Sequence, residues 1–94
     1  MAIKNFKDSE SKKVFEGYFP RKLPQQIQQR ARENLKQLDA AENLSDLLIP
    51  PSNRLERLSD DRIGQHIIRI NQQYRVCFVW QEKNALDVEI TDYH

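Results

Sequence analysis

The last three residues, Asp92, Tyr93 and His94, put a carboxylate, a phenol and an imidazole in a row directly after a strand-like run, Ala85 to Thr91. Imidazole is the side chain best matched to proton transfer near neutral pH. Tied into a sheet, the end of that run holds acid–base groups at a defined edge of the molecule. A frayed terminus leaves the same residues as solvated polar groups. A second group is cationic. Arg69 and Arg75 flank the polar triplet Asn71-Gln72-Gln73, a spacing that sets them near one another across a hairpin, and Arg62 stands on the preceding loop. Planar, permanently charged guanidiniums suit phosphate and can stabilise a phosphorane-like transition state. The alternative is surface pairing with Asp60, Asp61 or Asp87.

Other chemistries are poorly supplied. Two histidines and one cysteine argue against a metalloenzyme, so no metal and no cofactor is expected. His66 shares a strand face with Ile68 and Ile70, where a packed, hydrogen-bonded histidine fits as well as a reactive one. No glycine-rich phosphate loop is present, and no serine lies on a recognisable nucleophile turn. Cys77 is alone in a hydrophobic run, which excludes an internal disulfide framework and points to a reducing cytoplasm. Met1-Ala2-Ile3-Lys4 lacks the apolar core of a signal peptide, and no stretch approaches the length of a membrane span.

The net charge of +1 does not by itself predict a nucleic-acid partner, but its distribution is uneven. Five arginines and three acids lie between Arg54 and Arg75, and five bases against one acid lie between Arg21 and Lys36. Four acids and one lysine occupy Glu82 to Asp92. Such a surface offers a basic patch to a polyanion, or is an ordinary salt-bridged exterior.

The elements that must position these residues are readable from periodicity. Ninety-four residues suit one domain, 1–94. Ile3 to Phe6 reads as a short edge strand. Asp8 or Ser9 caps a helix running to about Tyr18, with Val14, Phe15 and Tyr18 on its apolar side. A second helix runs from about Pro24 to Leu38. Its Ile27, Ala31, Leu35 and Leu38 recur at intervals of four and three and face a sheet, leaving Arg30, Arg32 and Lys36 to solvent or a partner. Residues 39 to 53 read as one helical turn followed by an ordered loop. Gln65 to Ile70, Tyr74 to Gln81 and Ala85 to Thr91 then form an antiparallel meander. Tyr74, Val76, Phe78 and Trp80 share one face, and Arg75, Cys77, Val79 and Gln81 the other. In the last strand Leu86, Val88 and Ile90 are expected together, opposite Asp87 and Glu89. The order is β-α-α-β-β-β: an α+β fold with two helices on a small, mainly antiparallel sheet.

Several blocks carry a resemblance. Phe6-Lys7-Asp8, Leu38-Asp39-Ala40-Ala41, Pro50-Pro51-Ser52-Asn53-Arg54-Leu55-Glu56, Gly64-Gln65-His66, Ile68-Arg69-Ile70-Asn71, Tyr74-Arg75-Val76-Cys77-Phe78 and Val88-Glu89-Ile90 with Asp92-Tyr93-His94 are similar to the HigB toxins of the RelE-like superfamily. The resemblance spans nearly the whole chain. It implies a microbial-RNase-like, RelE-like fold and a ribosome-dependent endoribonuclease that cleaves mRNA and inhibits translation. It also implies a partner antitoxin with a helix-turn-helix domain, of the HigA kind, whose complex with the toxin represses its own operator DNA. Carried over by position, Asp92, Tyr93 and His94 fall on the family's C-terminal catalytic group, and Arg75 on its phosphate-contacting arginine. The resemblance implies His94 as acid–base group, Asp92 as its orienter or an alternate base, and Tyr93 as a residue that stacks on a base or positions RNA. Arg69 and Arg62, with Arg57, Arg54 and the helix residues Arg30, Arg32 and Lys36, are implied contacts to RNA or the ribosome. One departure stands out: where some members have a lysine before the Asp-Arg of the loop, this chain has Ser59 and Asp60 ahead of Asp61-Arg62. Serine supplies no charge, and Arg57 lies two residues further upstream. That departure keeps a second reading open, a ribosome-binding inhibitor or co-repressor subunit that does not cut.

Overall fold

The computed structural model describes residues 1–58 and 64–92. Helix α1 (Ser9–Glu16) and helix α2 (Gln25–Ala40) are followed by two 3₁₀ turns, Leu44–Leu48 and Pro51–Asn53. Four strands complete the order: β1 (Glu56–Arg57), β2 (Gln65–Arg69), β3 (Tyr74–Gln81) and β4 (Asn84–Asp92). They form one antiparallel sheet in sequence order. The helices pack on one face of it, as the α+β pattern requires. Ile27, Ala31, Leu35 and Leu38 of α2 are all buried, and meet Ile68, Val76, Phe78, Ala85 and Val88 in a single core. Their three- and four-residue spacing builds one continuous stripe on α2, and that stripe is what the sheet covers.

β2 and β4 each have a neighbour on the side away from β3. β1 lines the free side of β2, with Glu56 opposite Ile67 and Arg57 opposite His66. This two-residue strand is not evident from sequence, since Glu56 and Arg57 are both exposed and carry no alternation of apolar and polar residues. The N-terminal stretch runs beside β4 instead of forming the edge strand expected over Ile3 to Phe6. It makes two isolated parallel bridges, Ile3 to Ala85 and Phe6 to Val88. Between them the Asn5 side chain replaces the backbone ladder, donating to Asp87 Oδ1 at 2.8 Å and accepting from the Asp87 N–H at 3.1 Å.

The cause lies in β4. Asp87 has φ +51°, and the register with β3 shifts between Cys77 and Val79, so an extra residue bulges there. A bulge resets the two-residue alternation. Ala85 and Val88 are therefore both buried under the helices although three residues apart, and Leu86, expected to share the face of Val88 and Ile90, pairs with Val79 on the other one. Beyond the bulge the new phase holds to the strand's end: Ile90 lies opposite Val76, Thr91 opposite Arg75 and Asp92 opposite Tyr74.

Helix α1 also ends sooner than expected. Gly17 adopts φ +98° and its N–H, with that of Tyr18, closes onto the carbonyls of Val14 and Lys13. Tyr18 leaves the helix at that point and does not join its apolar side. It is 64% exposed. The connection to α2 is pinned by Gln28, buried at 3% exposure, whose Nε2 donates to the carbonyls of Pro20 (2.9 Å) and Leu23 (2.8 Å). After α2, Asn53 holds the 3₁₀ segment in place by donating to Gln37 Oε1 at 2.9 Å and the Leu47 carbonyl at 3.1 Å.

Candidate functional site

The turn between β2 and β3 organises the cationic groups. Asn71 opens it with a side-chain oxygen that accepts from the N–H groups of Gln73 (2.8 Å) and Tyr74 (2.7 Å). This local bond is why Asn suits the first position of such a turn. The Asn71 carbonyl is thereby turned toward the two arginines. Arg69 Nε donates to it at 3.1 Å and Arg75 Nη1 donates to the same oxygen, with a further bond from Nη1 to the Tyr74 carbonyl at 3.1 Å. Arg69 and Arg75 are direct register partners. Two guanidiniums on one face, gathered at one oxygen, form a local concentration of positive charge that suits an oxygen-rich anion.

The backbone beneath Arg69 is held from the opposite layer. Asn34, buried at 3% exposure on α2, donates from Nδ2 to the Arg69 carbonyl at 3.0 Å. A polar residue on the helix's apolar stripe must find such a partner, and this one fastens α2 to the end of β2.

Asp92 reaches the same end of the sheet from β4. Gln73 Nε2 donates to its Oδ2 at 2.9 Å, so the β2–β3 turn also grips the last carboxylate. Pairing with Tyr74 gives Asp92 the helix-side phase of the pleat, while Arg69 and Arg75 share the opposite phase. The arginines and the carboxylate are therefore neighbours along the ladder on alternate sides of it. Tyr93, His94 and Arg62 lie outside the described residues. Asn71, Gln73 and Asn34 are additions to the expected set. An Asn beginning a short polar turn and a lone Asn within an apolar helical stripe were the signals that mark two of them.

The remaining expected contacts are dispersed. Arg30 donates to Asn34 Oδ1 (3.3 Å) and to Ser52 Oγ (3.1 Å), tying α2 to the second 3₁₀ turn. The Arg32 guanidinium packs against Gly17, and the Lys36 ammonium lies 4.3 Å from the centre of the Phe15 ring. All three sit on the helix layer, away from the sheet face that carries Arg69 and Arg75. Arg54 is exposed, in a left-handed conformation after the 3₁₀ turn. Arg57 is exposed on β1, opposite His66.

His66 is a core histidine. Its ring stacks on Phe78 with centroids 5.9 Å apart, and Nδ1 lies 3.2 Å from the Gly64 carbonyl. A carbonyl only accepts, so Nδ1 carries the proton in that bond. Burial pushes the imidazolium's pKa below the usual histidine range, the Gly64 carbonyl opposes this, and the Arg57 charge adds to the lowering. Among the described residues no three His, Cys, Asp or Glu side chains are grouped closely enough to hold a metal ion, and no helix is long and apolar enough to cross a membrane.

Two helices on a four-stranded antiparallel sheet make this a small α+β protein, an architecture consistent with the RelE type. Residues 4–94 match the family of RelE-like toxins of the type II toxin–antitoxin system HigB, and the chain belongs to that family. It is 43% identical over 67 residues to Toxin HigB-1 of Vibrio cholerae, an alignment covering 71% of this chain and 70% of that one. It is also 33% identical over 73 residues to an uncharacterized protein of Haemophilus influenzae, covering 78% of this chain and 71% of the other. The chain is thus a toxin, and membership of a type II system implies an antitoxin as its partner.

Proposed function

We propose that the chain is a ribosome-dependent endoribonuclease that cuts translated mRNA in the cytoplasm and so blocks translation. One observation carries the reading: the 71–75 segment gathers Arg69 and Arg75 at one oxygen while its Gln73 holds Asp92 at the start of the chain's terminal Asp-Tyr-His. In this reading a base removes the proton from the ribose 2′-hydroxyl. The 2′-oxygen attacks the adjacent phosphorus, and the bond to the 5′-oxygen breaks as that oxygen takes a proton. The products are a 2′,3′-cyclic phosphate and a 5′-hydroxyl, and no metal is needed. His94 is the acid–base group, Asp92 orients it, Arg75 clamps the phosphate oxygens, and Tyr93 positions RNA.

Arg69, Arg62, Arg57 and Arg54 extend the basic surface toward ribosomal RNA, and Arg30, Arg32 and Lys36 add charge from the helix layer. Contacts of this kind are salt-sensitive and read little sequence. Holding the message in the ribosome supplies the in-line geometry that a small protein cannot impose on free RNA. A helix-turn-helix antitoxin of the HigA kind restrains the toxin and brings it to operator DNA as a co-repressor.

Primer extension on a defined message, ribosome-bound and free, tests this with His94→Ala, Asp92→Ala and Arg75→Ala. The expected result is cuts confined to ribosome-bound message and lost in each variant without loss of ribosome binding. Ribosome binding by the intact chain with no new RNA ends would reverse the reading, in favour of inhibition by occupancy.

A further inference from the structure

The connection between α1 and α2 turns two aromatic rings outward. Tyr18 is 64% exposed and Phe19 69% exposed, although Pro20 beside them is buried. Large aromatic side chains are normally drawn inward, and adjacent exposed rings mark an interaction surface. The backbone here is not loose. The left-handed Gly17 ends α1, and Gln28 grips the Pro20 and Leu23 carbonyls from inside. The rings flank a groove of about 490 Å³ lined by Lys13, Glu16, Tyr18, Phe19, Pro20 and Arg21. In the lining two bases, Lys13 and Arg21, stand against one acid, Glu16. The Arg32 guanidinium, packed on Gly17, adds a further charge at the C-terminal end of α1.

We propose that this groove is the docking site of an acidic, amphipathic segment of the antitoxin. An apolar side chain of that segment fills the space between Tyr18 and Phe19, and flanking carboxylates pair with Lys13 and Arg21. Aromatic anchors inside a charged rim are the usual composition of a protein-binding hot spot. The basic rim selects the occupant. A second copy of this chain docked through the same groove would bring like charges together. The groove also belongs to the helix layer, on the opposite side of the sheet from Arg69 and Arg75, so its occupant need not compete for the phosphate face.

The proposal rests on the reading of the chain as an antitoxin-controlled toxin, not on its cutting RNA. The test measures the affinity of the full-length chain for the antitoxin encoded with it, by calorimetry at two salt concentrations, beside cleavage of ribosome-bound message. Tyr18→Ser/Phe19→Ser should weaken antitoxin binding on the order of 100-fold and leave cleavage unchanged. Lys13→Glu/Arg21→Glu changes only exposed side chains, so it serves should the aromatic variant misfold, and it should weaken binding and flatten its salt dependence. Leu48→Ser/Ile49→Ser, on a separate exposed apolar patch, should bind as the unaltered chain does.

Antitoxin affinity within about threefold of the unaltered chain in both groove variants would overturn the proposal. So would equal weakening by the Leu48/Ile49 variant, or lost ribosome binding with antitoxin affinity intact, which would assign the groove to nucleic acid. An intact chain that never cuts RNA, but whose antitoxin affinity falls as expected, would sink the nuclease reading and leave the docking site standing.

Discussion

The two faces of the sheet are built on different terms. The helix-covered face is settled by burial: Ile68, Val76, Phe78, Ala85 and Val88 have nowhere to go but under α1 and α2. The opposite face has only a narrow buried centre, Ile67 and Cys77, and at one end it gives way to the half-buried Arg69 and Arg75. There the order comes from hydrogen bonds to a turn. Damage to the buried core of the first face should therefore cost stability, and damage to the arginines of the second should cost activity. The separation of the two effects is what experiment can break.

The largest expected effect is on the covered face. Phe78 is fully buried between His66 and Trp80, with ring centroids 5.9 Å and 6.4 Å away. Phe78→Ala should lose about 3–5 kcal/mol through lost transfer free energy and a residual cavity. Set against a total of about 5–15 kcal/mol for a domain of ordinary stability, that loss would show as a large fall in the urea midpoint. A small shift would mean that the core around α2 is not the one described.

On the other face, Arg75→Ala should lower the rate of cleavage of ribosome-bound message by about 100- to 1,000-fold, the usual effect of removing one donor to a developing oxyanion. Stability should fall by less than in Phe78→Ala, by about 1–2 kcal/mol, since the bonds to the Asn71 and Tyr74 carbonyls lie near the surface. Arg75→Lys should recover little, because an ammonium keeps the charge and loses the fork. A stability loss as large as that of Phe78→Ala, with cleavage intact in the surviving folded fraction, would show the arginine to be structural.

The third test concerns the histidine that sequence alone left open. Because the folded-state pKa of His66 lies below its ordinary value, the unfolded chain binds the proton more readily. The stability at issue is fully present above about pH 6.5, the unfolded value, and is lost as pH falls from there through the folded value. His66→Phe should remove that part of the acid dependence while leaving the pH profile of cleavage unaltered. A changed cleavage profile would bring His66 into the chemistry. Asp46 acts in the same direction at lower pH, since the N–H groups of Asn43 and Glu42 hold its carboxyl below the usual range and its contribution is lost on protonation.

What was legible in the sequence follows the same division. The α2 stripe and the alternation of β3 were readable because each repeats with a fixed period and each residue's burial agrees with its neighbours'. The β4 bulge was not, because Leu86, Val88 and Ile90 alternate perfectly on paper and only the left-handed Asp87, clasped by Asn5, breaks the phase. That single residue decides that Asp92 comes opposite Tyr74 and Thr91 opposite Arg75. The N-terminal strand is interrupted at the same place: backbone bonds join Ala2 and Lys4 to Ala85 and Asn5 and Lys7 to Val88, and between them Asp87 bonds the Asn5 side chain. Arg69 and Arg75 could be placed across a hairpin from their spacing. Their common acceptor at Asn71 and the Gln73 link to Asp92 are tertiary, and spacing does not encode them.

The smallest effect is expected where neither face is touched. Glu82 and Lys83 join β3 to β4 in a two-residue turn with φ +50° and +67°, the φ signs of a type I′ hairpin. Gln81 pairs directly with Asn84, so Asn84 belongs to the strand and not to the turn. Left-handed backbone costs an ordinary L-residue about 1–2 kcal/mol, and Asn and Gly much less. Part of that gain is returned through the greater freedom of glycine in the unfolded chain. Glu82→Asn/Lys83→Gly should therefore stabilise the protein by about 1 kcal/mol, raising the thermal midpoint by about 4–8 °C. The turn lies at the end of β3 remote from Arg75, so cleavage measured well below both midpoints should not change. If a stabler hairpin instead lowered cleavage, the two ends of β3 would be coupled through the bulge at Asp87, and stability and activity would no longer divide by face.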